Sequence, residues 1–206
     1  NVLHNALKIS KILNICRDSV GSAYLPFHYS YGLSVITSHL VSGSKIALTK
    51  LSFMQSEFWK QIDELNVNHF PGVPFHYETL LKFGFQRLKL DKITTMTQAG
   101  GHLNKNQKDA VYNFMDQKGG SFFVMYGQTE ASPRITTLKH EDFLQYPDSV
   151  GEGLEDGVLE LDGGIKNSLG HDEGEILYEG PNVMLRYAEN IKDLAKKPDQ
   201  NRLIRT

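Results

Sequence analysis

Ser121-Phe122-Phe123-Val124-Met125-Tyr126-Gly127-Gln128-Thr129-Glu130 is the stretch on which the reading of this chain turns. The apolar, aromatic first half predicts a buried strand. An aromatic, a glycine turn, a hydroxyl and a carboxylate then follow at its carboxyl end, a combination suited to a nucleotide. Tyr126 offers a face for a purine, and Gly127 lets the backbone turn sharply beside a ligand. Thr129 can donate to a phosphate oxygen, and Glu130 is a hard oxygen ligand suited to Mg²⁺. Plainer roles stand beside these: Tyr126 as a half-buried aromatic, Glu130 as a carboxylate at a helix start, Thr129 as an N-cap. The last is compatible with phosphate binding, since both use the same helix end.

Outward from this stretch, β-type runs recur at a steady interval: Ser22–Pro26, Lys45–Thr49, His69–Pro71, Ile93–Thr97 and Ser121–Met125. Helical patterns alternate with them at Val2–Arg17, Leu33–Val41, Ser52–Leu65, Phe75–Phe83 and Asn106–Gln117. That alternation predicts an α/β fold, a mainly parallel sheet with flanking helices over residues 1–133. Phe27–Tyr31, Gly72-Val73-Pro74, Gly100-Gly101 and Tyr126–Glu130 each follow an expected strand, where ligands of such sheets bind. Residues 134–206 differ. Gly and Asp are frequent, Val158–Leu161 and Glu175–Tyr178 alternate, and Asp156-Gly157, Asp162-Gly163 and Glu173-Gly174 read as turns. The expectation is a small antiparallel, barrel-like β subdomain, a helix over Tyr187–Lys197 and a strand beginning at Leu203.

The net charge of −2, with acids and bases interspersed, excludes the basic footprint of a nucleic-acid binder. Cys16 is the only cysteine, so no internal disulfide forms; on an apolar helix face it reads as packing. No apolar run approaches the roughly 20 residues that span a bilayer, and no signal pattern opens the chain, so a soluble cytoplasmic protein is expected. His4, His102, His140 and His171 share no ligand spacing, so no zinc site is read. The charges of Lys192–Arg202 read as a solvated face and linker.

Five ordered motifs together resemble the adenylate-forming superfamily of acyl-CoA synthetases, peptide-synthetase adenylation domains and luciferases. Tyr126–Glu130 is similar to its Tyr-Gly-x-Thr-Glu motif, Leu25–Gly32 to its Leu-Pro-x-Phe-His segment, and Gly174–Tyr187 to its Gly-Glu…Gly-Pro…Tyr stretch. Gly72-Val73-Pro74 and Ala99-Gly100-Gly101 have counterparts in the same order. The resemblance implies ATP, Mg²⁺ and coenzyme A as cofactors, and activation of a small-molecule carboxylic acid as an acyl-adenylate with release of pyrophosphate. It also implies that Tyr126 stacks on adenine and that Gly127 and Gln128 belong to the nucleotide site. Thr129 is to bond the α-phosphate, Glu130 to hold Mg²⁺, and Gly100 and Gly101 to admit the ligand against the backbone. His28, Tyr29, Tyr31, Val73 and Phe75 are the expected acid pocket; its aromatic character favours a fatty or aromatic acid, and a carrier protein remains an alternative acceptor.

The chain also departs from the pattern. The usual histidine of the pocket segment falls on Tyr29, Gly101 is followed by His102-Leu103 where Ala-Pro is usual, and Arg186 stands for a glycine. The family's phosphate loop and ribose aspartate fall outside Asn1–Thr206, so the chain reads as the middle of a longer polypeptide, inactive alone. An isolated piece exposes a sheet edge, for which dimerisation or marginal stability is expected. A non-catalytic binding module of the same fold stays open; an α/β hydrolase is disfavoured because no Gly-x-Ser-x-Gly occurs.

Overall fold

The computed structural model describes residues 1–197 and 202–206. In chain order the elements are α1 Val2–Ile12, β1 Val20–Ala23, α2 Ser30–Val41, β2 Lys45–Leu48, α3 Ser56–Glu64, β3 His69–Gly72 and α4 Pro74–Phe83. These are followed by β4 Thr95–Gln98, α5 Lys105–Gln117, β5 Ser121–Gly127, β6 Arg134–Leu138 and β7 Glu152–Gly153. The last strands are β8 Val158–Lys166, β9 Asp172–Glu179 and β10 Leu203–Arg205.

Local chemistry sets several boundaries. Asn1 caps α1, and Asn104 and Gln107 close a reciprocal capping box at α5. α1 stops short of the expected Arg17 because Asn14 turns left-handed at φ 51° and the Ile15 amide donates back to the Ser10 carbonyl. Cys16 therefore lies beyond the helix and is exposed, not packed on it. α3 starts at Ser56 and not Ser52, since the Gln55 amide closes a turn on the Ser52 carbonyl.

The strands form a seven-stranded sheet in the order β2-β1-β3-β4-β5-β6-β7. β1 to β5 are parallel; β6 and β7 are antiparallel additions. The architecture expected for the first part of the chain is the one found. Alternate residues of β5 face opposite helical layers. Phe122 and Val124 join Phe58, Ile62, Phe70, Tyr77 and Leu80; Phe123 and Met125 join Ile9, Leu13, Tyr31 and Val35. Burying each of these large side chains contributes about 1.5–3 kcal/mol. β1 lies between β2 and β3, so the winding reverses there, and the loops after β1, β3, β4 and β5 open at this switch point.

The change of architecture falls after Gly153, not at Pro133. Arg134–Leu138 is buried along its whole length and hydrogen-bonds to β5, so it belongs to the first sheet. A three-stranded antiparallel sheet, β10-β9-β8, follows. Asp162-Gly163 and Glu173-Gly174, expected as turns, lie inside β8 and β9, where a bulge between Asp162 and Ile165 absorbs the glycines. The hairpin turn is instead at 167–171, where the Asn167 side chain accepts from the Leu169 and His171 amides, both at 3.0 Å. The helix expected at Tyr187–Lys197 is a single 3₁₀ turn, Ile191–Ala195. Ile191 and Leu194 are 83% and 75% exposed, so no buried apolar face supports a longer helix. Of the charged stretch from Lys192 to Arg202, residues 198–201 lie outside the described residues.

Candidate active site

β5 ends at Gly127 opposite Arg134 of β6, with a register irregularity between Tyr126 and Gly127. A Cβ on Gly127 would lie 1.9 Å from the Pro133 carbonyl oxygen, so only glycine lets the chain double back here. The loop between is clamped from two remote elements. The Asn182 side chain donates to the Ala131 and Arg134 carbonyls at 2.6 and 2.7 Å, and is itself oriented by the Tyr178 hydroxyl at 2.7 Å. From α1, Asn5 donates to the same Arg134 carbonyl at 3.3 Å. Neither clamp was singled out from the sequence. An asparagine beside Ala6 and Ile9 on an apolar helix face was the available signal, because a buried amide needs partners.

Thr129–Ala131 is one 3₁₀ turn, so Thr129 caps no helix and Glu130 gains no helix dipole, in contrast to their plainer readings. The Thr129 hydroxyl lies 3.0 Å from that of Ser30 at the start of α2. The Glu130 carbonyl accepts from the Met184 amide at 2.7 Å, and its carboxylate accepts from the Tyr187 hydroxyl. That carboxylate raises the Tyr187 pKa, which keeps the phenol protonated and donating.

Gly100 turns with φ +78°, and a Cβ there would fall 2.0 Å from the Tyr29 hydroxyl and 3.3 Å from Val73. The loops after β1, β3 and β4 thus meet at one glycine. Gly100, Tyr126 and Gly127 form a ridge shared by two cavities. One, about 330 Å³, is lined by Gly101, His102, Leu103 and Lys108; the other, about 280 Å³, by Tyr29, Tyr31, Gln128, Thr129, Glu130 and Arg134. Tyr31 is buried, and its hydroxyl donates to the Thr97 carbonyl at 2.9 Å. His28 is exposed and Phe75 is 58% exposed, and neither lines these cavities. His76 packs between Tyr24 and Phe53, where burial pushes its pKa down to about 4 and leaves it a neutral structural group at pH 7.

The donor set fits a magnesium nucleotide. Gly100 and Gly127 line both cavities, while the space a Cβ would take at each is filled by the Tyr29 hydroxyl and the Pro133 carbonyl. Among the described residues no three His, Cys, Asp or Glu side chains cluster as a metal cage. A single carboxylate such as Glu130 suits Mg²⁺, which keeps waters and phosphate oxygens as its other ligands. Tyr187 engages one carboxylate oxygen, and the other has no hydrogen-bond partner among the described residues.

A family model described as AMP-binding enzyme matches residues 1–188. The chain belongs to the AMP-binding enzyme family. Among members of known function, the 2-succinylbenzoate–CoA ligase of Listeria innocua is 27% identical over 191 residues, which are 91% of this chain and 38% of that one. The o-succinylbenzoate CoA synthetase (MenE) from Bacillus subtilis, in complex with ATP and magnesium ion, matches at TM-score 0.77 and 23% identity, over 100% of this chain and 42% of that one. The same enzyme in complex with the acyl-adenylate intermediate OSB-AMP matches at 0.78 and 22%, over 100% of this chain and 41% of that one. At these identities the solved structures establish the shared AMP-binding fold. The chain spans about two-fifths of the length of these family members. No helix among its described residues is long and apolar enough to cross a membrane.

Proposed function

We propose that this chain carries the nucleotide and acid compartments of an AMP-forming acid–thiol ligase. The reaction joins a carboxylic acid to AMP, releases pyrophosphate and passes the acyl group to a thiol, that of coenzyme A. The observation that carries this reading is the ridge of Gly100, Tyr126 and Gly127 between two cavities, with Thr129 and Glu130 on one wall. Tyr126 lines both cavities and would supply a ring for the purine to stack on. The Thr129 hydroxyl would donate to an α-phosphate oxygen, and Glu130, engaged by Tyr187, would hold the metal. Tyr29 lines the acid compartment beside Gly100, and Val73 packs near Gly100 without lining the cavity. When bound, ATP supplies the α-phosphorus for attack, and Mg²⁺ offsets the charge on its oxygens.

The test is acid-dependent exchange of pyrophosphate into ATP by the full-length protein, across fatty, aryl and amino acids. Exchange confined to one acid class, and lowered by about 10²-fold or more in Glu130→Ala, is the expected result. ATP binding with no exchange for any acid would move the reading to a non-catalytic binding module.

A further inference from the structure

Arg134 is a buried cation that no group among the described residues neutralises. Its residue is 3% exposed, and among the described residues its guanidinium makes no ion pair or hydrogen bond. The Tyr31 ring lies 5.8 Å from the guanidinium carbon. Tyr31 is no counter-ion: its hydroxyl is committed to Thr97, and burial pushes its pKa up to about 12. Burial draws Arg134 down to about 10, so it still carries its charge at neutral pH. Glu130 shares the cavity wall but lies beyond ion-pair distance and is engaged by Tyr187. A buried charge without a partner is costly, and its retention beside an open cavity points to a partner that arrives with the ligand.

We propose that Arg134 is the anion receptor of the acid compartment, and that the acid taken by this chain carries a second anionic group besides the carboxylate that is activated. The inference rests on the ligase reading. The guanidinium presents a planar fork that matches a carboxylate in a bidentate way. Its place favours the acid over the nucleotide. Thr129 and Glu130 stand on the wall assigned to phosphate and metal, whereas Arg134 lies under the Tyr31 ring. There it also borders the crevice of Ile9, Val35 and Met125, on the side where α1 and α2 cover the sheet.

The test compares phthalate and glutarate with their monoamides, using full-length wild type, Arg134→Met and Arg134→Lys. Pyrophosphate exchange is read alongside calorimetric binding of each acid without ATP. Wild type is expected to favour each diacid over its monoamide by about 10²-fold in kcat/KM, mostly through KM. Arg134→Met collapses that ratio to near unity, Arg134→Lys restores part of it, and the KM for ATP stays as in wild type. A wild type indifferent to the second charge overturns the proposal, as does a mutant that slows all acids equally. A rise confined to the KM for ATP overturns it too and assigns the cation to phosphate. If no acid supports exchange, the ligase reading fails, but diacid binding that is lost in Arg134→Met still upholds the receptor. Absence of diacid binding to wild type removes it.

Discussion

On the face covered by α3, α4 and α5, Phe58, Trp59, Phe70, Tyr77 and Phe122 meet ring against ring; Phe58 and Trp59 stand edge-on at 4.9 Å. On the opposite face α1 and α2 cover a thinner apolar layer that also buries Asn5, His39, His69 and Arg134. Among the described residues His39 Nε2 and His69 Nδ1 have no hydrogen-bond partner, and the two rings stand edge-on at 5.2 Å. One sheet thus has a face packed ring on ring and a face that buries polar groups at the expense of stability.

Phe122 and Phe123 are neighbours on opposite faces, so they measure this contrast with one chemistry. Phe122→Ala is expected to cost about 3–5 kcal/mol by urea titration, and Phe123→Ala about 1 kcal/mol less. Equal losses would erase the distinction between the faces.

The next effect is in pH. Burial, aided by His39, pulls the His69 pKa from 6.5 to about 3, so His69 is neutral in the fold. As pH falls below 6.5 the unfolded chain takes up a proton that the folded one refuses, and stability present at pH 7 is lost progressively down to about pH 3. One such histidine contributes a slope of about 1.4 kcal/mol per pH unit. His69→Gln should therefore shrink the stability lost between pH 6.5 and 5 by about 2 kcal/mol. Parallel profiles for wild type and mutant would show that the polar face carries no such burden.

The smallest effect sharpens the comparison from the aromatic side. Ser22, paired with Ala47 across β1 and β2, buries a hydroxyl with no partner. Ser22→Ala should raise stability by about 1 kcal/mol, visible as a higher urea midpoint at unchanged slope.

Legibility from sequence followed how local each determinant is. The five parallel strands and their helices were readable because apolar periodicity and glycine punctuation are carried by consecutive residues. Tyr126, Thr129 and Glu130 stand out as a motif of consecutive residues, and the positions of Tyr29, Val73 and Gly100 in the loops after β1, β3 and β4 were readable because each follows a strand. The end of α1 was missed because a left-handed Asn14 leaves no mark on the apolar pattern. Gly163 and Gly174 read as turns because a bulge and a turn use the same residue type. Arg134 passed unremarked because a cation is called buried only once its neighbours are known. The Asn182 clamp and the Tyr187 bond to Glu130 join residues far apart in the chain, and no local pattern announces either.

That last bond has a thermodynamic corollary. Glu130 is tied to the segment after β9 twice, through its carbonyl to Met184 and through its carboxylate to Tyr187. A cation that takes the oxygen used by Tyr187 competes with the phenol, while one that takes the other oxygen tolerates it. On the proposed reading, metal occupancy at Glu130 and docking of the 184–187 segment are linked functions, and whatever factor one applies to the other is returned in equal measure.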